Sequence, residues 1–74
     1  MNHSFKTFEE IVNFLKDIDY PLGDLCQDIL RDPTFPLKND EAALKKIDSL
    51  GRQHDYLSMP TMQLELIYKI INKE

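Results

Sequence analysis

Cys26, His54 and Asp55 are the residue types of a nucleophile, a base and a group that orients the base. A reactive thiolate needs an exposed, electropositive setting. Leu22, Leu25, Cys26, Ile29 and Leu30 instead recur at i, i+3, i+4, i+7 and i+8, which puts the cysteine on the apolar stripe of a helix. It reads as a small packed hydrophobe, and no catalytic residue is assigned. A metal site needs three or four converging ligands, and His3, His54, Cys26 and the scattered carboxylates have neither zinc-type nor EF-hand spacing. Glu9, Glu10, Asp24, Asp28 and Asp40 fall on predicted solvated faces or caps and form no acid-base pair. Phosphate cradles require glycine-rich turns between strand and helix, whereas this chain has two isolated glycines. No metal or cofactor is expected.

One electrostatic candidate stands apart. Lys38, Lys45, Lys46 and Arg52 cluster around the third predicted helix and could meet phosphates locally. Asp40, Glu41 and Asp48 dilute them: Glu41 to Lys45 is an i,i+4 pair in the favourable order, and Lys45 to Asp48 is i,i+3. The whole chain has 9 Lys+Arg against 13 Asp+Glu, a net charge of -4, which is the wrong sign for general attraction to a phosphate backbone. Residues 1 to 32 carry three cations against seven acids, so the excess negative charge lies in the N-terminal half. The loop between the second and third helices is also too long for a standard helix-turn-helix.

The elements that hold these residues are bounded by caps and breakers. At 74 residues the chain fits one domain, since a domain this small buries only about 60% of its unfolded surface. Its 30% charged residues and mean hydropathy of -0.43 are those of a globular chain. One cysteine cannot form an intramolecular disulfide, which favours a cytoplasmic setting. No apolar run approaches the ~20 residues of a membrane span, and no signal peptide is expected.

Thr7 with Glu10 forms a capping box, predicting a helix from Phe8 to near Asp19 with Phe8, Ile11, Val12, Leu15 and Ile18 inward and Phe14 towards a neighbouring element. Pro21 and Gly23 interrupt it, and a second helix runs over Leu22–Arg31. Pro33 and Pro36 exclude helix around Phe35, which is expected to anchor the loop in the core. Asn39 or Asp40 caps a third helix to about Leu50, with Gly51 in the left-handed position after its end. After a link over Arg52–Leu57, Ser58 caps a fourth helix with Pro60 in its first turn. Met62, Leu64, Leu66, Ile67, Tyr68, Ile70 and Ile71 surround much of that helix, so it is expected to be the most buried. No stretch has strand periodicity, and the expected class is all-α, a bundle of about four helices.

Asp32-Pro33-Thr34-Phe35-Pro36 resembles the D-x-x-F-P signature of the small YozE-like, SAM-like bacterial proteins. Ser4-Phe5-Lys6-Thr7-Phe8 is similar to that family's opening, Tyr56-Leu57 to its Y-L before the last helix, and Tyr68 to its late aromatic position. The resemblance spans nearly the whole chain. It implies a SAM-like bundle in cytoplasmic proteins of Gram-positive bacteria and carries over no catalytic residue. SAM-like folds serve protein and nucleic-acid interactions alike. Together with the absence of a chemical constellation, this leads to an expected non-enzymatic binding module for protein partners, with nucleic-acid binding through Lys38, Lys45, Lys46 and Arg52 as the alternative.

Overall fold

The computed structural model describes residues 6–73, and every regular element among them is a helix: α1 (Phe8–Leu15), α2 (Leu22–Arg31), α3 (Asp40–Gln53) and α4 (Asp55–Ile71). His3, Ser4 and Phe5 lie outside the described residues. The capping box forms as expected. Thr7 Oγ1 accepts the Glu10 N–H at 3.1 Å and the Glu10 carboxylate accepts the Thr7 N–H at 2.9 Å. These bonds from Thr7 hold the Glu10 carboxyl below its ordinary range.

α1 stops at Leu15, short of the expected Asp19. Gln27 Nε2 donates to the Lys16 carbonyl at 2.8 Å, and the Ile18 N–H turns back to the Leu15 carbonyl at 3.0 Å. Asp17 and Asp19 also place negative charge at the negative end of the helix. Ile18 therefore leaves the stripe and is exposed, and Phe14, expected to meet a neighbour, is 82% exposed. The Tyr20–Pro21 peptide bond in the connecting turn is cis. Gly23 is buried where a Cβ would collide with the Ile18 carbonyl oxygen, so glycine lets α2 begin against that turn.

α2 spans the expected residues and ends at Asp32. The Asp32 carboxylate accepts the Thr34 hydroxyl at 2.7 Å and the Thr34 N–H at 2.9 Å, and these bonds lower its pKa. Beyond this turn Phe35 is buried and its ring stacks on Phe8 at 5.9 Å, while Pro36 is half-buried and Pro33 exposed. The proline-bounded loop is thus anchored as expected.

The α3–α4 region departs most from the sequence reading. Asn39 caps α3, accepting the Ala42 N–H at 3.0 Å. The helix then runs through Gly51 to Gln53, and neither glycine has a positive φ. A Cβ on Gly51 would meet Thr61 Oγ1, so glycine serves a close approach of α3 to α4 rather than a left-handed turn. The expected Arg52–Leu57 link shrinks to His54, an extended residue between two helices. Ser58 lies inside α4 and donates to the Asp55 carbonyl at 2.9 Å instead of capping. Pro60 is likewise interior, so the carbonyl of exposed Tyr56, four residues back, receives no N–H from it.

The core joins Phe8, Ile11, Val12 and Leu15 of α1, Leu22, Leu25, Cys26 and Ile29 of α2, Phe35, and Ala43 and Ile47 of α3. α4 adds Leu64 at its centre, with Pro60 and Thr61 also buried. It is therefore not the most buried helix, and Met62, Leu66 and Ile70 are exposed.

Candidate functional site

The residues of the nucleophilic reading are not brought together. Cys26 is fully buried in α2, and burial pushes its thiol up to about 11. His54 and Asp55 are exposed at the α3–α4 junction, where the His54 ring lies 5.7 Å from that of Tyr56. Among the described residues no group of three His, Cys, Asp or Glu side chains is placed to hold a metal.

The four cations of the basic cluster are mostly compensated. Lys38 Nζ lies 2.9 Å from the Glu9 carboxylate, Lys45 Nζ 3.8 Å from Glu41, and Arg52 Nε 2.9 Å from Asp48. Asp48 thus pairs with Arg52 rather than with Lys45, because the i,i+4 partner reaches it from the next turn. Lys46 is exposed and acts electrostatically on Asp32. The cluster is interleaved with acids on the folded surface as it is in the sequence.

A different surface emerges beside α4. Tyr56, Met59, Leu66 and Ile70 recur at i, i+3, i+10 and i+14, which sets them on one helix face, and all four are exposed. Tyr56, Leu66 and Ile70 of this face border the α1–α2 turn and α2. Ile70 and Leu66, 66% and 51% exposed, line a groove with Ile18, Tyr20 and Pro21. Tyr20 and Pro21 continue into a second groove with Tyr56, Leu57 and Pro60, and Tyr56 and Leu57 into a third that reaches Ile29 and Phe35. The widest part has a volume of about 540 Å³. Its polar side chains are Asp19, Tyr20 and Gln63, and the rest of its lining is apolar. The wall suits apolar side chains.

The charges along this surface have one sign. Asp19 edges the first groove, Asp24 and Asp28 the second, and Asp28 and Asp32 the third; among the described residues no Lys or Arg lines any of them. Asp24, Asp28 and Asp32 follow one another at i,i+4 spacing along α2. Among the described residues none forms an ion pair with Asp19, Asp24 or Asp28.

No family model, characterised protein or solved structure matches the chain. The residues of the YozE-like signature take separate places. Asp32 ends α2, Phe35 and Pro36 secure the loop, and Tyr68 packs on Phe8 with ring centroids 6.3 Å apart. Tyr56 and Leu57 stand inside the first turn of α4 rather than before it, and both line the α2–α4 surface. The signal for this surface was present in the sequence: α4 has more apolar positions than one buried face can use.

Proposed function

We propose that this chain is a non-enzymatic protein-interaction module whose working surface is the apolar face between α2 and α4. The observation that carries this reading is the outward stripe of Tyr56, Met59, Leu66 and Ile70. One apolar face is enough to seat a helix on its core. A second one, continuous with the exposed Ile18 and Tyr20, adds nothing to folding and has the character of a contact surface. The YozE-like resemblance supports the same reading, because a SAM-like bundle is an architecture used for interactions. A cytoplasmic setting in a bacterium accords with that resemblance and with the single cysteine.

The test is affinity capture from lysate with the wild-type chain and a Leu66→Asp, Ile70→Asp variant, each with and without nuclease. Both positions are exposed, so the variant should keep the helical circular dichroism of the parent. The expected result is a protein retained by wild type, lost with the variant and indifferent to nuclease. Equal retention by both chains, or retention that nuclease abolishes, overturns the proposal.

A further inference from the structure

We infer that the occupant of the α2–α4 surface is a basic amphipathic helix, whose apolar side chains fill the groove beside Leu66 and Ile70 and whose Lys or Arg residues lie over Asp24 and Asp28. The inference rests on the protein-interaction reading and adds the chemistry of the partner. Charge supplies the argument. Away from the groove most cations of the α3 and α4 region already have carboxylates, Lys38 with Glu9, Lys45 with Glu41, Arg52 with Asp48 and Lys69 with Glu65, while Lys46 of α3 has no ion pair among the described residues. On the groove edge Asp19, Asp24 and Asp28 have no ion-pair partner among the described residues, and none of the described cations lines the apolar floor. A partner with acidic side chains would bring like charges together, whereas one with Lys or Arg would complete the missing pairs and be guided to the site.

The dimensions suit a helix. From Tyr56 to Ile70 the stripe covers about 21 Å at the rise of an α-helix, so it matches a partner helix of about four turns. Such a partner places an apolar residue on the groove at every third or fourth position, the usual mode of helix-in-groove recognition. A basic polar face on that same helix then lies along α2, where Asp24 and Asp28 are one turn apart.

The probe is a Leu/Lys amphipathic peptide of about four turns, compared by fluorescence anisotropy with its Leu/Glu counterpart and with a Leu/Lys peptide of the same composition scrambled to remove the periodicity. The full chain is used as wild type, as Asp24→Asn with Asp28→Asn, and as Leu66→Asp with Ile70→Asp. We expect binding of the periodic basic peptide only. It should weaken about threefold to tenfold in the Asn variant, as for two exposed charge pairs, and about tenfold or more in the Leu66/Ile70 variant. The Asn substitutions keep side-chain size at exposed positions, so that arm stands even if the other variant unfolds. Equal binding of the Leu/Glu or scrambled peptide, indifference to the Asn substitutions, or no binding of any peptide overturns the inference. If the peptides fail while lysate capture still depends on Leu66 and Ile70, only the partner's chemistry is wrong. If lysate capture ignores Leu66 and Ile70, the interaction surface itself is wrong.

Discussion

The Tyr68 hydroxyl donates to Asp40 Oδ2 at 2.6 Å while Asp40 Oδ1 accepts the Phe8 N–H at 3.1 Å, so one carboxylate at the start of α3 joins α1 to α4. Burial, followed by the hydrogen bond and charge of Asp40, pushes the Tyr68 phenol up to about 12 from an ordinary 10.0. The folded chain therefore holds this proton more tightly than the unfolded chain. Its contribution to stability is fully present below pH about 10 and is lost as pH rises from about 10 to about 12. Tyr68→Phe should cost about 1.5 to 3 kcal/mol at neutral pH, the scale of a hydrogen bond to a charged group, and should flatten that alkaline decline. Denaturant melts at a series of pH values test both effects, and an unchanged alkaline slope in the variant would remove the linkage.

Phe35 anchors a loop that lacks regular backbone pairing, and its ring stacks on Phe8 in the core. Phe35→Ala should cost about 3 to 5 kcal/mol, because the side chain's transfer energy and the cavity left beside Phe8 add. For a domain this small that is a large share of total stability. A melt shifted by less than about 1 kcal/mol would detach the loop from the core.

What could be read in advance depended on whether the deciding contact was local. The Thr7–Glu10 cap is a four-residue motif, and α2 is framed by Pro21 and Pro33, so both were legible. Gly51 was legible only as a glycine. Its use is fixed by Thr61 on another helix, a relationship that residue type and local spacing do not encode. The α3–α4 boundary was missed for the same reason: His54 bears no turn signature, and the close approach at Gly51 lets α3 continue to it. In α4 the apolar positions are visible, but composition does not tell a buried stripe from an exposed one beside it, and Leu66 and Ile70, on the helix expected to be the most buried, are exposed. In the sequence Asp40 is only an alternative to Asn39 as the α3 cap, since nothing near it in sequence points to Tyr68 or Phe8.

Cys26 has no exposed surface, and burial pushes its thiol up to about 11. A thiol reagent should therefore reach it only through unfolding. If the domain is stable by about 5 kcal/mol, labelling at neutral pH should be roughly 5 × 10³-fold slower than that of the denatured chain. Addition of denaturant should restore the free-thiol rate. Fast labelling of the folded protein would reopen its use as a nucleophile.

Gly51 and Thr61 should behave as a coupled pair. Thr61 Oγ1 donates to the Leu57 carbonyl at 2.7 Å and to the Ser58 carbonyl at 3.1 Å, which fixes it where a Cβ on Gly51 would intrude. Gly51→Ala should destabilise although alanine is the better helix former, because α3 and α4 must part or Thr61 must turn away. Thr61→Ala removes the obstructing oxygen. The double variant should accordingly lose less than the two single losses together, with a coupling on the order of 0.5 to 1 kcal/mol in a double-mutant cycle. Additive losses would mean that the helices do not meet at this point.

The basic cluster should fail as a nucleic-acid surface at physiological salt. Phosphate neutralisation requires several free protein cations at once, and the logarithm of affinity falls with the logarithm of salt concentration with a slope proportional to their number. Lys38, Lys45 and Arg52 already face Glu9, Glu41 and Asp48, so a phosphate must compete with a carboxylate at each of them. The net charge of -4 opposes approach as well. Exposed pairs such as Lys45 with Glu41 are individually weak, so lowering the salt strengthens phosphate attraction and carboxylate pairing together. We expect no binding to arbitrary duplex or single-stranded DNA near ~0.15 M salt at low micromolar protein, measured by fluorescence anisotropy beside a variant with Lys38, Lys45, Lys46 and Arg52 changed to Ala. Micromolar binding that weakens steeply with salt and disappears in the variant would move the working surface from the α2–α4 groove to α3.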